Sequence, residues 1–230
     1  MVYDIPTIYP TILESGGHTL IAGTTGSGKS VMLNGIITTA LIQGDKHLFL
    51  IDPKKVEFCE YRGIGAVKGY ADTSAQALEL LGLVERYMDS RYSEMQMQGR
   101  KQSDRAKILV VIDELADLLI SEQGRAIKTK IQRLAQLGRA ARITIIVATQ
   151  CPNRRIIPAE IVLNFTQRIG LRCLTAIESR QIINVKGCES LEMYGRCLFL
   201  RPAHEIECWY CPMLEQGIAD QVLANWRKVS

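Results

Sequence analysis

The sequence predicts an α/β fold with a mainly parallel sheet flanked by helices, and three observations carry that expectation. Short apolar runs rich in β-branched residues alternate with longer stretches of helical periodicity. The first of these runs passes through a glycine-rich turn directly into a helical pattern. A later one ends abruptly in two carboxylates. Alternation of this kind calls for parallel strands joined by crossover helices, which bury both faces of the sheet.

The elements follow in order. Residues 1–17 read as a lead-in. They lack the charged and then apolar sequence of a secretory leader, and no run in the chain approaches the ~18 apolar residues of a membrane helix. Thr19, Leu20, Ile21 and Ala22 in "TLIAG" form the first buried strand. Val31, Met32, Leu33, Ile36, Ile37 and Leu41 recur at helical spacing up to Gly44, a helix stop. "HLFLID" is the second strand, and a helix is expected from about Thr73 to Met97. "ILVVID" and "ITIIVAT" are buried strands on either side of a helix from about Gly124 to Ala141, with Ile127, Ile131, Leu134 and Leu137 on one face. "RIGLRC" is a further strand. The C-terminal "GRCLFL…HEIECWYC" reads as a pair of strands around a turn near Pro202, and a closing helix runs to Trp226.

With 230 residues, 47% of them hydrophobic, no internal repeat and no low-complexity linker, residues 1–230 are expected to form one domain with a sizeable core. The net charge of +4 permits a nucleic-acid partner without arguing for one, because the basic residues are not massed in a tail. Seven cysteines, an odd number in no paired clusters, suit a reducing cytoplasm. Cys208 and Cys211 have C-x-x-C spelling, but on a strand residues three apart face opposite ways. Buried thiols are therefore expected there rather than zinc.

The chemistry begins in "HTLIAGTTGSGKSVMLNG". Gly23, Gly26, Gly28, Lys29 and Ser30 match G-x-x-x-x-G-K-[ST] in full, between a strand and a helix as that motif requires. Glycines let successive backbone N–H groups converge on phosphate oxygens, and the helix N-terminus adds partial positive charge. Gly23, Thr24, Thr25, Gly26, Ser27, Gly28, Lys29, Ser30 and Val31 are thus expected to bind ATP. Lys29 would reach the β and γ phosphates, and the Ser30 hydroxyl would hold Mg²⁺. The strand "ILVVID" ends in Asp113 and Glu114. An acidic pair there could simply favour a helix N-terminus. With a phosphate loop upstream in the same sheet, Asp113 is instead expected to hold Mg²⁺ and Glu114 to polarise the attacking water. Thr149 and Gln150 emerge from the next strand, where Gln150 could contact the γ-phosphate or its water; the other reading is a loop start before Pro152.

Taken together, "HTLIAGTTGSGKSVMLNGII", "IDPKKVEF", "ILVVIDELADLL", "IQRLAQLGRAARITIIVATQCP" and "ESRQII" resemble, in order, the motor domain of the FtsK/SpoIIIE family of DNA translocases, a RecA-like P-loop NTPase. The resemblance runs from about His18 to Trp226. It implies a homo-oligomeric, typically hexameric, ring that threads double-stranded DNA and hydrolyses ATP at subunit interfaces. It also implies a neighbour's arginine that completes each site, and the matching position is Arg139 in "LGRAAR". Arg133 and Arg142 are rivals for that role. Within the family's DNA-contacting set, the usual arginine after "ATQ" is Cys151 here, a usual lysine is Ala176, and Arg180 is kept. Arg154 and Arg155 could substitute, as could Arg100, Lys101, Arg105 and Lys107 in the loop before the Asp113 strand. Asp52 could bear on the nucleotide site from its strand end, and Lys54 reads as structural. The chain is expected to be a minimal motor from a mobile element or an excised fragment, without the anchor, accessory lobe and winged helix of full-length members. Two other functions stay open: a conjugative coupling or secretion ATPase that moves single-stranded DNA or protein, and a nucleotide-dependent assembly module.

Overall fold

The computed structural model describes residues 3–45, 47–150, 152–192 and 195–229. Its single sheet has eight strands: β1 (Thr19–Ala22), β2 (Leu48–Ile51), β3 (Val67–Ala71), β4 (Ile108–Ile112), β5 (Ile143–Thr149), β6 (Gln167–Gly170), β7 (Arg196–Leu200) and β8 (Glu207–Tyr210). They lie in the order β3-β2-β4-β5-β1-β6-β7-β8. The first six in that order pair in parallel, while β7 and β8 are antiparallel additions at one edge. The five expected parallel strands and the C-terminal pair are all present. The short turn through Pro202 that joins β7 to β8 is what permits an antiparallel pair, whereas parallel neighbours need a crossover.

Helices α1 (Ile8–Glu14), α2 (Lys29–Ile42) and α8 (Gln216–Val229) cover one face. On the other lie α3 (Ser74–Gln98) and α5 (Gly124–Leu137), with the short α4 (Leu115–Ile120) and α6 (Ala159–Val162). Central strands β1, β2, β4 and β5 are buried along their whole length, which is why they read as continuous apolar runs. A smaller cluster under α7 (Ala176–Ile183) includes Ile182, Ile183, Cys173 and Cys188. Among the described residues no helix is long and apolar enough to cross a membrane.

Several expectations need correction. The lead-in contains α1, whose Ile8, Tyr9, Ile12 and Leu13 are buried. Gly35 on α2 makes room for it, because a Cβ there would collide with the Tyr9 ring. Strand β3 escapes periodicity because it is a half-exposed edge strand interrupted by Gly69. A Cβ at Gly69 would come within 2.8 Å of Phe49 and 2.9 Å of Leu80. Helix α5 ends at Leu137 rather than Ala141, since the chain turns at Gly138 and passes Arg142 at φ 54 before entering β5. Leu137 is exposed, unlike Ile127, Ile131 and Leu134. Cys208 and Cys211 do alternate, but only Cys211 is buried, with its Sγ 3.2 Å from that of Cys197.

Candidate functional site

The carboxyl ends of three adjacent strands, β4, β5 and β1, bring the expected groups together. Beyond β1 the chain enters the glycine loop. Gly26 (φ 75) and Gly28 (φ 100) adopt left-handed backbone with open space where a Cβ would stand. Gly23 is required for a different reason, since a Cβ there would lie 2.6 Å from Ser27 Oγ and 2.7 Å from Leu171 Cβ. The loop is tied to the end of β6 by Thr24 N, which donates to Arg172 O at 2.9 Å. Gly28 caps α2, and Lys29, Ser30 and Val31 open its first turn.

The cradle fits a polyphosphate. Ser27 Oγ is buried without a hydrogen-bond partner. The Lys29 ammonium is also buried, and it donates to two loop carbonyls, Gly23 O at 2.5 Å and Thr24 O at 2.7 Å. Burial pulls its pKa down to about 8, partly offset by the charges of Glu114 and Asp113. An anion in the loop would compensate that buried charge. The loop also borders a cavity of about 250 Å³ lined by Val31, Leu171, Tyr210 and Met213 among others.

Beyond β4 stand the two carboxylates. Asp113 N donates to Ile51 O on β2, which fixes the strand end. Burial, and then the neighbouring charge of Glu57, push the Asp113 carboxyl up to about 7. A carboxylate so poorly solvated is suited to a cation. A Mg²⁺ site here would draw on the Asp113 carboxylate and the Ser30 hydroxyl, the hard oxygen donors that ion prefers. Glu114 is 3% exposed and sits in left-handed backbone (φ 51, ψ 69) at the N-terminal cap of α4. Its Oε1 accepts from Thr149 Oγ1 at 2.9 Å and from Gln150 N at 3.0 Å, and its Oε2 accepts from Lys54 Nζ at 3.1 Å. Gln150 closes the circuit to the loop, accepting from Thr25 Oγ1 on its Oε1 at 2.8 Å.

Sequence reasoning missed Lys54, whose ammonium meets the carboxylate instead of serving the loop's own structure. Only the adjacency of β2 and β4 reveals this, and the nearest signal in the sequence was its place beside Asp52 at a strand end. Asp52 is engaged by its own turn and β3, its Oδ2 accepting from the backbone N–H groups of Glu57 and Phe58 and from Tyr70 OH, while its charge adds to the upward push on Asp113.

Other expected residues stand apart from this cluster. Arg139 is exposed and lies at the amino end of the sheet, where it lines an open pocket with Arg142. Its rival Arg133 is bound within the chain, to Glu85 at 2.7 Å and Asp89 at 2.9 Å. Arg154 and Arg155 are exposed on the segment after β5, and Arg180 is exposed on α7 after β6. The basic loop is largely spent on pairing: Arg100 with Asp104, Arg105 with Glu94 and Lys107 with Asp45. Lys101 alone of the four has no ion-pair partner among the described residues. Cys151, in place of the family arginine, lies outside the described residues.

A glycine loop between strand and helix, with an acidic strand end and a polar strand end beside it on one parallel sheet, defines a P-loop NTPase of RecA-like architecture. The model of the FtsK/SpoIIIE family matches residues 2–107 and 95–154, and the chain belongs to that family. It is 37% identical over 225 residues to the DNA translocase FtsK of Chlorobaculum tepidum, covering 86% of this chain and 28% of that protein. To the DNA translocase FtsK of Staphylococcus aureus it is 39% identical over 206 residues, covering 80% and 26%. The chain thus spans just over a quarter of the length of these relatives. Among solved structures, the pCW3 conjugation coupling protein TcpA, in monomer form with ATPγS, superposes with a TM-score of 0.80 at 27% identity, covering 91% of this chain and 65% of that one. The type VII secretion ATPase EccC of Thermomonospora curvata shares the fold at a TM-score of 0.74 and 20% identity, over 91% of this chain and 28% of its own.

Proposed function

We propose that residues 1–230 form one motor domain that hydrolyses ATP at the interfaces of a homo-oligomeric, hexameric ring and thereby moves double-stranded DNA in the cytoplasm. The observation that carries this reading is the continuous hydrogen-bonded path from Thr25 in the phosphate loop, through Gln150, to Glu114. Such a path links phosphate occupancy to the position of the base.

Each residue has a defined task. The backbone N–H groups from Thr24 to Val31 cradle the phosphates, and Lys29 leaves its two carbonyls to pair with the β and γ oxygens. The base of the nucleotide lies in the apolar cavity between Val31, Leu171 and Tyr210. Ser30 and Asp113 hold Mg²⁺, which when bound neutralises charge on the phosphate oxygens. Glu114 accepts the proton of the attacking water, and Gln150 orients that water from the neighbouring strand end. Arg139 stands too far along the sheet to serve its own loop and supplies positive charge to the γ-phosphate of an adjacent subunit. Arg154, Arg155 and Arg180, exposed beyond the carboxyl ends of β5 and β6, grip phosphates of the duplex, and a ring multiplies each contact.

A second reading has one specific observation behind it. The likeness to a conjugation coupling protein is extensive, so a single strand is the alternative cargo. The test is the ATPase rate alone, with long duplex DNA and with single strands, at low and moderate salt. Strong, salt-sensitive stimulation by duplex is the expected result. Stimulation by single strands alone would favour the coupling reading. A rate indifferent to both would leave a protein cargo or an assembly role.

A further inference from the structure

Glu114 is held by three donors in the arrangement described above. An ionised carboxylate offers about four lone-pair positions on its two oxygens. The Thr149 hydroxyl fills one, Gln150 N reaches both oxygens at 3.0 and 3.2 Å, and Lys54 Nζ takes another at 3.1 Å. One of these three donors is a cation, whose contact disfavours protonation of the carboxylate and so makes it a poor base. Release of that cation would restore its basicity.

The three donors differ in how easily they can go. Thr149 is a fully buried residue of β5, and Gln150 N is main chain at the end of the same strand. Lys54 is a flexible side chain, 33% exposed, against a carboxylate side chain that is 4% exposed. It projects from a turn with a fixed base and an open tip. Asp52 anchors the base by accepting from Glu57 N at 2.9 Å and Phe58 N at 3.0 Å. At the tip, Lys55 is held at φ 66 and Val56 is 66% exposed. A left-handed lysine beside an exposed valine is a costly way to make a surface turn, and Lys54 leaves this turn to meet Glu114 at the end of β4.

We propose that Lys54 is a positioning residue that restrains Glu114, and that hydrolysis requires its ammonium to let go of the carboxylate. The inference rests on the reading of Glu114 as the base. A γ-phosphate in the loop is the competitor that draws the cation away, because it brings more negative charge than one carboxylate. The restraint would keep the site silent until nucleotide and cargo are both in place, and Thr25 and Gln150 would report the first of these.

Two measurements on the full chain test it. The first is steady-state hydrolysis without DNA. Lys54→Ala is expected to raise kcat by roughly three- to tenfold, the scale of one partly exposed ion pair, with KM for ATP unchanged. Lys54→Arg, which keeps a cation at the carboxylate, is expected to restore the low rate. A Lys54→Ala rate equal to or below that of the unaltered protein overturns the proposal. The second measurement does not depend on turnover. Thermal melting of the unaltered protein, Lys54→Ala, Glu114→Gln and the double variant forms a cycle. The two effects should be non-additive without nucleotide and become additive with a non-hydrolysable ATP analogue. Non-additivity that persists with the analogue bound, or that is absent without it, overturns the proposal. If the unaltered protein hydrolyses no ATP with any cargo, the ATPase reading fails, and the melting cycle alone decides whether Lys54 restrains Glu114.

Discussion

At the carboxyl end of the sheet Glu114 is enclosed by Lys54, Thr149 and Gln150, whereas at the amino end Arg139 and Arg142 face an open pocket of about 850 Å³ without an ion-pair partner among the described residues. In the first region the carboxylate finds its donors within the chain. The second presents two exposed cations just beyond the C-terminal end of α5, where the helix carries partial negative charge. Under the proposed ring, the two ends would be the halves of one site divided between neighbouring copies of the chain. In that proposed ring, a phosphate held at the carboxyl end would meet Arg139 of the adjacent subunit.

The sharpest way to break that comparison is to disable the two halves separately. Arg139→Ala should lower hydrolysis by about 10³-fold or more, the range for an arginine supplied to a transferring phosphate. Mixed with Lys29→Ala subunits, it should recover part of the activity, because each variant contributes the half that the other lacks. No recovery at any ratio, with both variants folded and assembling, would place the arginine's role within its own chain or remove it.

Glu114→Gln tests the enclosed half. Loss of the base should cost about 100-fold or more in rate, while nucleotide binding measured by fluorescent-analogue titration persists. Equal hydrolysis by this variant would take the base away from Glu114.

The smallest effect concerns what holds the amino end in shape. His18, fully buried between Phe165 and the start of β5, accepts from Ile145 N on its Nδ1 at 3.0 Å. Burial first, and the nearby Arg139 charge second, pull its pKa from 6.5 to about 4. The unfolded chain therefore takes up a proton near pH 6.5 that the folded chain refuses until about pH 4. Stability is full above pH 6.5 and falls as the pH drops towards 4, by roughly 3 kcal/mol in all from this group. His18→Gln keeps an acceptor for Ile145 N and removes the titration. Urea denaturation across that window should show a shallower pH dependence for the variant than for the unaltered protein, and equal slopes would assign the acid sensitivity to the carboxylates.

The two regions also differ in how readily the sequence disclosed them. The phosphate loop, the Asp113–Glu114 strand end and Gln150 lie within contiguous stretches whose local pattern fixes strand, turn and helix. They could be read before any pairing was known. Arg139 was placed by family resemblance, and its distance from its own loop follows from the direction of β5. The pairing of Lys54 with Glu114 joins residues sixty positions apart in the chain and depends on β2 lying beside β4. Ion pairs that occupy Arg100, Arg105 and Lys107 likewise join the loop to α3, to itself and to the turn before β2. A loop charge looks available in a sequence whether or not a carboxylate waits for it.

By itself, then, the sequence determined the α/β class, the run of buried parallel strands, the glycine cradle and the acidic strand end, because hydrophobic period and glycine spacing act over a few residues. Only the tertiary structure decided the strand order, the edge strand β3, the docking of α1 against Gly35, and which charges meet. Those depend on contacts between distant segments, where burial and pairing outweigh local preference. For the same reason the chemistry of Lys54 became visible only once the sheet was assembled.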